Sequence, residues 1–178
     1  MTFKRRCISR SSRAKFFSYG VAVGFSMLFA PAKETFRLLE YMAVDSGHRD
    51  SGLGCKLFLR TLQDSLSNRG EPLPVLLEVD SDRKASAHQE TRKRRLQFYK
   101  RLGCLRVHGL SYILPLPGEG PLPEMDLLVH LPTSFSAIRE SQLRHWVGVI
   151  YQSVYNCPPD DPRIVKMLEA VSDPVKLA

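Results

Sequence analysis

The sequence predicts an α/β protein, on three observations. Apolar runs of strand length alternate with amphipathic stretches of helix length through the centre of the chain. Turn residues mark each change of pattern. A glycine pair, Gly52 and Gly54, falls just where the first of those helices must begin. Short apolar runs read as buried strands, and i, i+3, i+4, i+7 spacing reads as one face of a helix.

The elements follow in order. "KFFSY" and "VGFSMLF" read as a strand pair, with Gly20 and Gly24 as punctuation. The stretch "GVAVGFSMLFAPA" (20–32) also has the shape of a secretory signal: basic residues, an apolar run, then Ala-Pro-Ala. The glycines favour the strand pair. "FRLLEYMAV" (36–44) reads as a buried strand carrying Glu40, and the polar turn "DSGHRDSG" (45–52) follows it. Cys55, Phe58, Leu59, Leu62 and Leu66 then share one helix face, with Gly70 placed to end the helix. "PVLLEVD" (74–80) is a further strand, and Ser81 to about Glu90 is polar. A second helix spans about 90–102, with Leu96, Tyr99 and Leu102 on one side, and stops at Gly103. "CLRVHGLSYILPL" and "EMDLLVHL" read as two more strands around the loop "PGEGPLP". From Ser136 on, Ile138, Leu143, Trp146, Ile150 and Val154 suit an amphipathic helix to about Asn156. "PPDDP" breaks it, and a short helix over about 162–171 follows. A strand–helix–strand unit makes a parallel pair with its ligand side at the strands' carboxyl ends. The turn at 45–52 lies there.

The bulk numbers narrow the class. A length of 178 residues suffices for a real core, and 43% hydrophobic with 25% charged residues is ordinary for a globular chain. The net charge of +8 is uneven: Lys4, Arg5, Arg6, Arg10, Arg13 and Lys15 precede the first acid, Glu34. Residues 1–15 read as a basic tail, 16–132 as the ligand-binding domain and 133–178 as a helical extension. The four cysteines are far apart, with no CxxC pair, which suits free thiols in a reducing compartment. No apolar run is long enough to span a membrane, and a cytoplasmic protein is expected. The five histidines show no metal spacing, so no metal is expected. "RKRR" (92–95), with Lys100 and Arg101, reads first as a solvated helix face, and then as a contact for a phosphate or an acidic partner. Nucleic acid is not expected as a partner, because no aromatic residues interleave the basic ones.

The glycine turn is a candidate anion site. The first N–H groups of a helix have no intrahelical partner and point outward. Two nucleotide motifs fail here. A P-loop needs Gly-x4-Gly-Lys-Ser/Thr, but Leu53 and Gly54 follow Gly52. A dinucleotide fingerprint needs a third glycine where Leu57 stands. What is left is Arg-x-x-Gly-x-Gly, from Arg49 to Gly54, between a strand and a helix.

That motif resembles the acyl-CoA signature of the GNAT N-acetyltransferase superfamily. "LLEYMAV" resembles the family's fourth strand, "LLEV" its fifth, and "RLQFYKRLGC" the segment carrying a Phe-Tyr pair and then Leu-Gly. The resemblance covers about 36–131. It implies a mixed central sheet with helices on both faces, with a shortened N-terminal part and extra C-terminal helices in this chain. It implies acetyl-CoA as co-substrate, a primary amine as acceptor and direct transfer. By the same resemblance, Met42, Ala43 and Val44 would bind the pantetheine arm through their backbone. Arg49, Asp50, Ser51, Gly52, Leu53, Gly54 and Cys55 would hold the pyrophosphate. Tyr99 would be the acid that serves the leaving thiolate.

The base is expected among the strand carboxylates. Glu78 sits in an apolar strand, where burial would make it more basic. Glu40, on the neighbouring strand, is the second candidate. Both also fit simple ion pairs with nearby arginines. Only 35 residues precede the strand at 36, where the family has a strand, two helices and two more strands. The acceptor wall is therefore expected to be incomplete, replaced by the C-terminal helix, or supplied by a second subunit in a homodimer. The alternative to an enzyme is a non-catalytic acyl-CoA-binding or interaction module.

Overall fold

A computed structural model of the chain describes residues 9–18, 20–83, 85, 87–116 and 123–178. Residues 1–8, with Cys7 and half of the basic tail, lie outside the described residues, as does most of the loop "PGEGPLP". The chain divides into two compact units, one up to Val75 and one from Leu76 to Ala178. Among the described residues, seven strands and four α-helices give the expected α/β class with a mixed sheet.

In the first unit, β1 (Ser9–Ser18) pairs antiparallel with β2 (Val21–Pro31), and β2 pairs antiparallel with β3 (Arg37–Val44). The expected strand pair is present and longer than its apolar residues suggest: β1 begins at Ser9, inside the stretch read as a tail. Gly20 makes the turn between the two strands at φ +80°. The apolar run 21–31 is β2, and its Val23, Leu28 and Phe29 are buried. One turn of 3-10 helix, Ser46–His48, and then α1 (Leu53–Gln63) follow β3. Helix α1 packs on β1, β2 and β3 with Leu57 and Phe58 fully buried. A buried hydroxyl pair joins helix to sheet, Ser26 Oγ to Thr61 Oγ1 at 2.7 Å. Thr61 spends its single proton on the Leu57 carbonyl, 2.9 Å away, so Ser26 is the donor.

Helix α1 is shorter than its periodicity predicts. It ends at Gln63, and Leu66 lies beyond it, exposed, in an isolated antiparallel bridge with Pro72. The hydroxyl of Ser65 donates to the Leu62 carbonyl at 2.6 Å, a local alternative to another helical turn. Gly70, at φ +80°, turns the 66–72 segment and does not cap the helix. Buried Arg37 anchors this segment. Its guanidinium donates to the carbonyls of Leu66 at 2.7 Å and Phe36 at 2.9 Å, and burial lowers its pKa.

The second unit contains β4 (Val75–Asp80, its first residue closing the first unit), α2 (Gln89–Arg101), β5 (Cys104–Arg106), β6 (Tyr112–Ile113), β7 (Glu124–His130), α3 (Glu140–Ser153) and α4 (Pro162–Leu168). The sheet order is β4–β7–β5, and β6 also pairs with β7. The single strand expected over "CLRVHGLSYILPL" is two, β5 and β6. Gly109 breaks it at φ +79°, so close to Ala170 that a Cβ there would sit 2.2 Å from the Ala170 carbonyl oxygen. Beyond β5 the chain's end returns: Arg106 and Ala178 exchange N–H···O bonds at 2.7 and 3.0 Å, and His108 donates to the Lys176 carbonyl. The outer edge of β5 is thereby paired.

The C-terminal helices have shifted ends. Helix α3 starts at Glu140, with Leu143, Trp146, Val147, Ile150 and Tyr151 buried. Ile138 is buried as well, but ahead of the helix, where its carbonyl accepts from Val175 N–H at 2.9 Å. Helix α4 starts where expected. Asp161 accepts the Arg163 N–H at 3.0 Å as N-cap and Pro162 opens the first turn. It stops at Leu168, short of 171. Asp126 on β7, 2% exposed, is met by Arg83 at 2.8 Å and by Arg106 at 3.1 Å. Arg106 also reaches Asp82, and Arg83 reaches Glu124. These pairs fasten the polar segment after β4 to the unit's sheet.

Candidate functional site

The glycine turn of the first unit is built from its own neighbours. Asp45, at the end of β3, accepts from the Gly47 N–H at 3.0 Å and from His48 Nδ1 at 3.1 Å. The His48 hydrogen bond, then the Gly47 N–H, hold the Asp45 carboxyl below its ordinary range. Ser51 donates to the His48 carbonyl at 2.6 Å, and exposed Arg49 turns its Nε back toward the Val44 carbonyl at 3.5 Å. Asp50 adopts φ +60°, an uncommon conformation outside glycine. Gly52 follows at φ +77°, and a side chain there would meet nothing within 4 Å.

Gly52 is the N-cap of α1, and no side chain caps the helix. Its first turn carries no acidic residue, and the first internal bond is Lys56 N–H to the Gly52 carbonyl at 3.1 Å. The N–H groups of Leu53, Gly54 and Cys55 are therefore the helix's outward donors. The dipole adds partial positive charge at that end. Exposed Arg49 and Lys56 flank it. A pyrophosphate fits this chemistry: backbone donors, no capping side chain and open space over Gly52. On β3, Ser26, Phe25 and Gly24 of β2 face Met42, Ala43 and Val44 in register, so this backbone is fixed on its β2 side. Met42 and Val44 alternate with exposed Tyr41 and Ala43, and so lie on one face, while the pairing with β2 shifts register at Glu40, which is half-buried.

The second unit holds the other two predicted residues. Tyr99 lies on the buried side of α2 beside Leu96, 7% exposed, its ring edge-on to Phe98 at 5.1 Å. Burial pushes its pKa up to about 12, with Arg95 opposing. Glu78 is half-buried on β4, and the hydroxyls of Tyr112 and Tyr155 both donate to it. Tyr155 reaches Oε2 at 2.6 Å, while Tyr112 takes the other oxygen. Asp80, two residues further along β4, pairs with Arg95 at 2.6 Å. Arg94 is exposed and pairs with Glu90.

Sequence reading missed Tyr112 and Tyr155. A weak signal existed for each. Tyr112 sits two residues from Leu110 and Leu114 in an alternating run. Tyr155 is four residues after Tyr151, on the same face of a helix spacing. Nothing local connects either one to Glu78.

No protein-family model matches the chain, and no curated protein matches it. Solved structures do. A protein described as a GNAT-family acetyltransferase from Bacteroides thetaiotaomicron is 23% identical, with 86% of this chain aligned to 77% of that one and a TM-score of 0.63. A GNAT-family acetyltransferase from Elizabethkingia anophelis, solved with acetyl-CoA bound, is 14% identical over 68% of this chain and 76% of its own, at a TM-score of 0.49. The ribosomal-protein-S18-alanine N-acetyltransferase of Escherichia coli is 20% identical over 71% and 75%, at 0.48. The similarity at 0.63 spans most of both chains, too low in identity to speak of substrate and high enough to speak of architecture. The chain has the fold of the GNAT acetyltransferases.

Proposed function

We propose that the chain is an acetyl-CoA-dependent N-acetyltransferase acting on a primary amine. The observation that carries this reading is the uncapped, glycine-entered start of α1 directly after β3, in a chain with an acetyltransferase fold. The N–H groups of Leu53, Gly54 and Cys55 would bind pyrophosphate, with Arg49 adding charge and Met42 to Val44 lining the pantetheine arm. Bound acetyl-CoA supplies the activated acetyl group as a thioester. The chain's residues then have two proton tasks. A carboxylate takes a proton from the arriving ammonium; we assign this to Glu78, with Glu40 as the competing assignment. Tyr99 serves the departing sulfur. At a pKa of about 12, full transfer to a thiolate is uphill by roughly 4–5 kcal/mol. Tyr99 therefore acts mainly as a hydrogen-bond donor there. The unpaired thiols of Cys55, Cys104 and Cys157 suit a reducing compartment, and we place the protein in the cytoplasm. No helix among the described residues is long and apolar enough to cross a membrane.

A second reading is a cofactor-binding module without turnover. It is favoured by the burial of Tyr99, 7% exposed, and by the two phenols that already donate to Glu78. Calorimetry with CoA and acetyl-CoA, followed by CoA release over a panel of primary amines, decides. Micromolar binding, about −8 kcal/mol, with amine-dependent release supports the enzyme. Binding without release supports the module. No binding at millimolar ligand by folded protein sinks both.

A further inference from the structure

The Glu78 cluster goes beyond the roles read from the sequence. Its three members come from β4, β6 and the residue just past the last turn of α3. Each phenol serves a different oxygen of the one carboxylate. The phenols are themselves held. Tyr112 is buried within β6. Tyr155 meets the Tyr151 ring edge-on at 6.3 Å. Tyr151 donates its hydroxyl to the Ile113 carbonyl and carries Arg163 over its face at 5.6 Å. Arg163 is fixed by Asp161 at 2.6 Å and touches Cys157. Burial and the charge of Glu78 hold the Tyr112 phenol well above its ordinary range, so it stays a donor.

We infer that Tyr112 and Tyr155 are positioning residues for Glu78, fixing the orientation and the ionised state of the carboxylate that meets the acceptor's ammonium group. A carboxylate accepts about four hydrogen bonds, so two phenols do not exhaust it. Two rigid O–H donors hold it in one rotamer and favour the anion. The proton lost by the ammonium nitrogen is taken by a Glu78 oxygen and leaves to solvent after the transfer. The inference rests on the acetyltransferase reading for its meaning in turnover. It also assigns the C-terminal segment a part in the site, through Tyr155.

The test measures Glu78 directly, without turnover. Carboxyl carbon NMR, with the Glu78 signal assigned by its loss in Glu78→Gln, gives the titration midpoint in the parent, Tyr112→Phe, Tyr155→Phe and the double variant. Removing one donor to the anion should raise the midpoint by about one pH unit, and the double variant should rise furthest. Tyr151→Phe, which removes a hydroxyl bonded elsewhere, should leave it in place. The acidic limb of the kcat/KM profile with an accepted amine should move upward in step, with kcat down about tenfold and acetyl-CoA KM steady. A folded double variant with an unmoved midpoint overturns the inference. So does a moved midpoint with an unmoved acidic limb. A parent that binds no CoA and transfers no acetyl group overturns the acetyltransferase reading instead, and leaves the midpoint shifts as the record of a carboxylate held by two phenols.

Discussion

The two units build their candidate chemistry in opposite ways. In the first, the donors are backbone N–H groups, and the side-chain hydrogen bonds that shape the turn span five residues or fewer, Asp45 to Gly47 and His48, His48 to Ser51, Val44 to Arg49, with the Asp45 N–H tied back to the Val23 carbonyl of β2 at 2.8 Å. In the second, the groups are side chains, and Glu78 is answered from 34 and 77 residues away. A backbone site needs glycine, a strand end and a helix start, all of which are written locally. A side-chain site needs the tertiary fold before any two of its members meet. The contrast predicts that the first can be broken by bulk and the second by removing single hydroxyls.

The largest effect is expected in the second unit, where Gly109 lies against the Ala170 backbone. In Gly109→Ala the new Cβ would lie 2.2 Å from the Ala170 carbonyl oxygen, in a left-handed conformation. Backbone cannot yield as a flexible side chain can. The cost should be about 3 kcal/mol or more, read as a lower midpoint in urea unfolding. A loss below about 1 kcal/mol would mean that the 168–171 turn moves aside freely.

Gly54→Val should abolish CoA binding, a loss of at least about a hundredfold. The branched side chain stands where the pyrophosphate must approach, and valine is stiff in a helix's first turn. Calorimetry on the folded variant checks it. Unchanged affinity would move the phosphate site away from this turn and remove the contrast between the units.

Tyr99→Phe keeps the ring in its place against Phe98 and deletes one hydroxyl. Turnover should fall by about ten- to a hundredfold, the scale of one hydrogen bond to developing charge, while cofactor affinity changes little. Full activity would make Tyr99 a packing residue. Glu40→Gln compared with Glu78→Gln, in the same kinetics, separates the two carboxylates: the assigned base should be the one whose loss removes the acidic limb.

This contrast also governs how much was legible. The order of elements was readable because apolar periodicity is a local property, and so was the position of the glycine turn. Three of the shifted boundaries have a visible physical cause. Helix α1 stops early because the Ser65 hydroxyl takes a helix carbonyl. Ile138 fits the periodicity of α3 but is buried outside the helix, where its carbonyl accepts from the Val175 N–H. The strand at 104–116 splits because Gly109 lies against Ala170, a contact no window of sequence shows. The arginine pairs that hold buried Asp126 were equally invisible. Tyr112 and Tyr155 were passed over because a tyrosine's use is set by what its hydroxyl reaches.

The smallest effect is expected at Asp45, where the turn's shape rests on one exposed carboxylate. Asp45→Ala removes the acceptor for both the Gly47 N–H and His48, so the turn should loosen and CoA affinity fall by about two- to fivefold, the scale of one exposed hydrogen bond. Asp45→Asn keeps an acceptor oxygen and should lose less than about twofold. The pH dependence has a definite sign. The folded-state pKa of Asp45 is depressed, first by His48 and then by the Gly47 N–H. Its contribution to the turn is therefore complete above the unfolded carboxylate value, about 3.9, and is lost as pH falls through the lower folded value. From pH 6 to 8 this residue stays ionised and should add no pH dependence to affinity. Amide NMR of Gly47 should report the Asp45 titration only below about pH 4. A Gly47 signal that titrates between pH 6 and 8 with unchanged amplitude in Asp45→Asn would assign the turn's pH response to another group. An Asp45→Ala variant with undiminished affinity would show that the glycines and the start of α1 hold the turn without it.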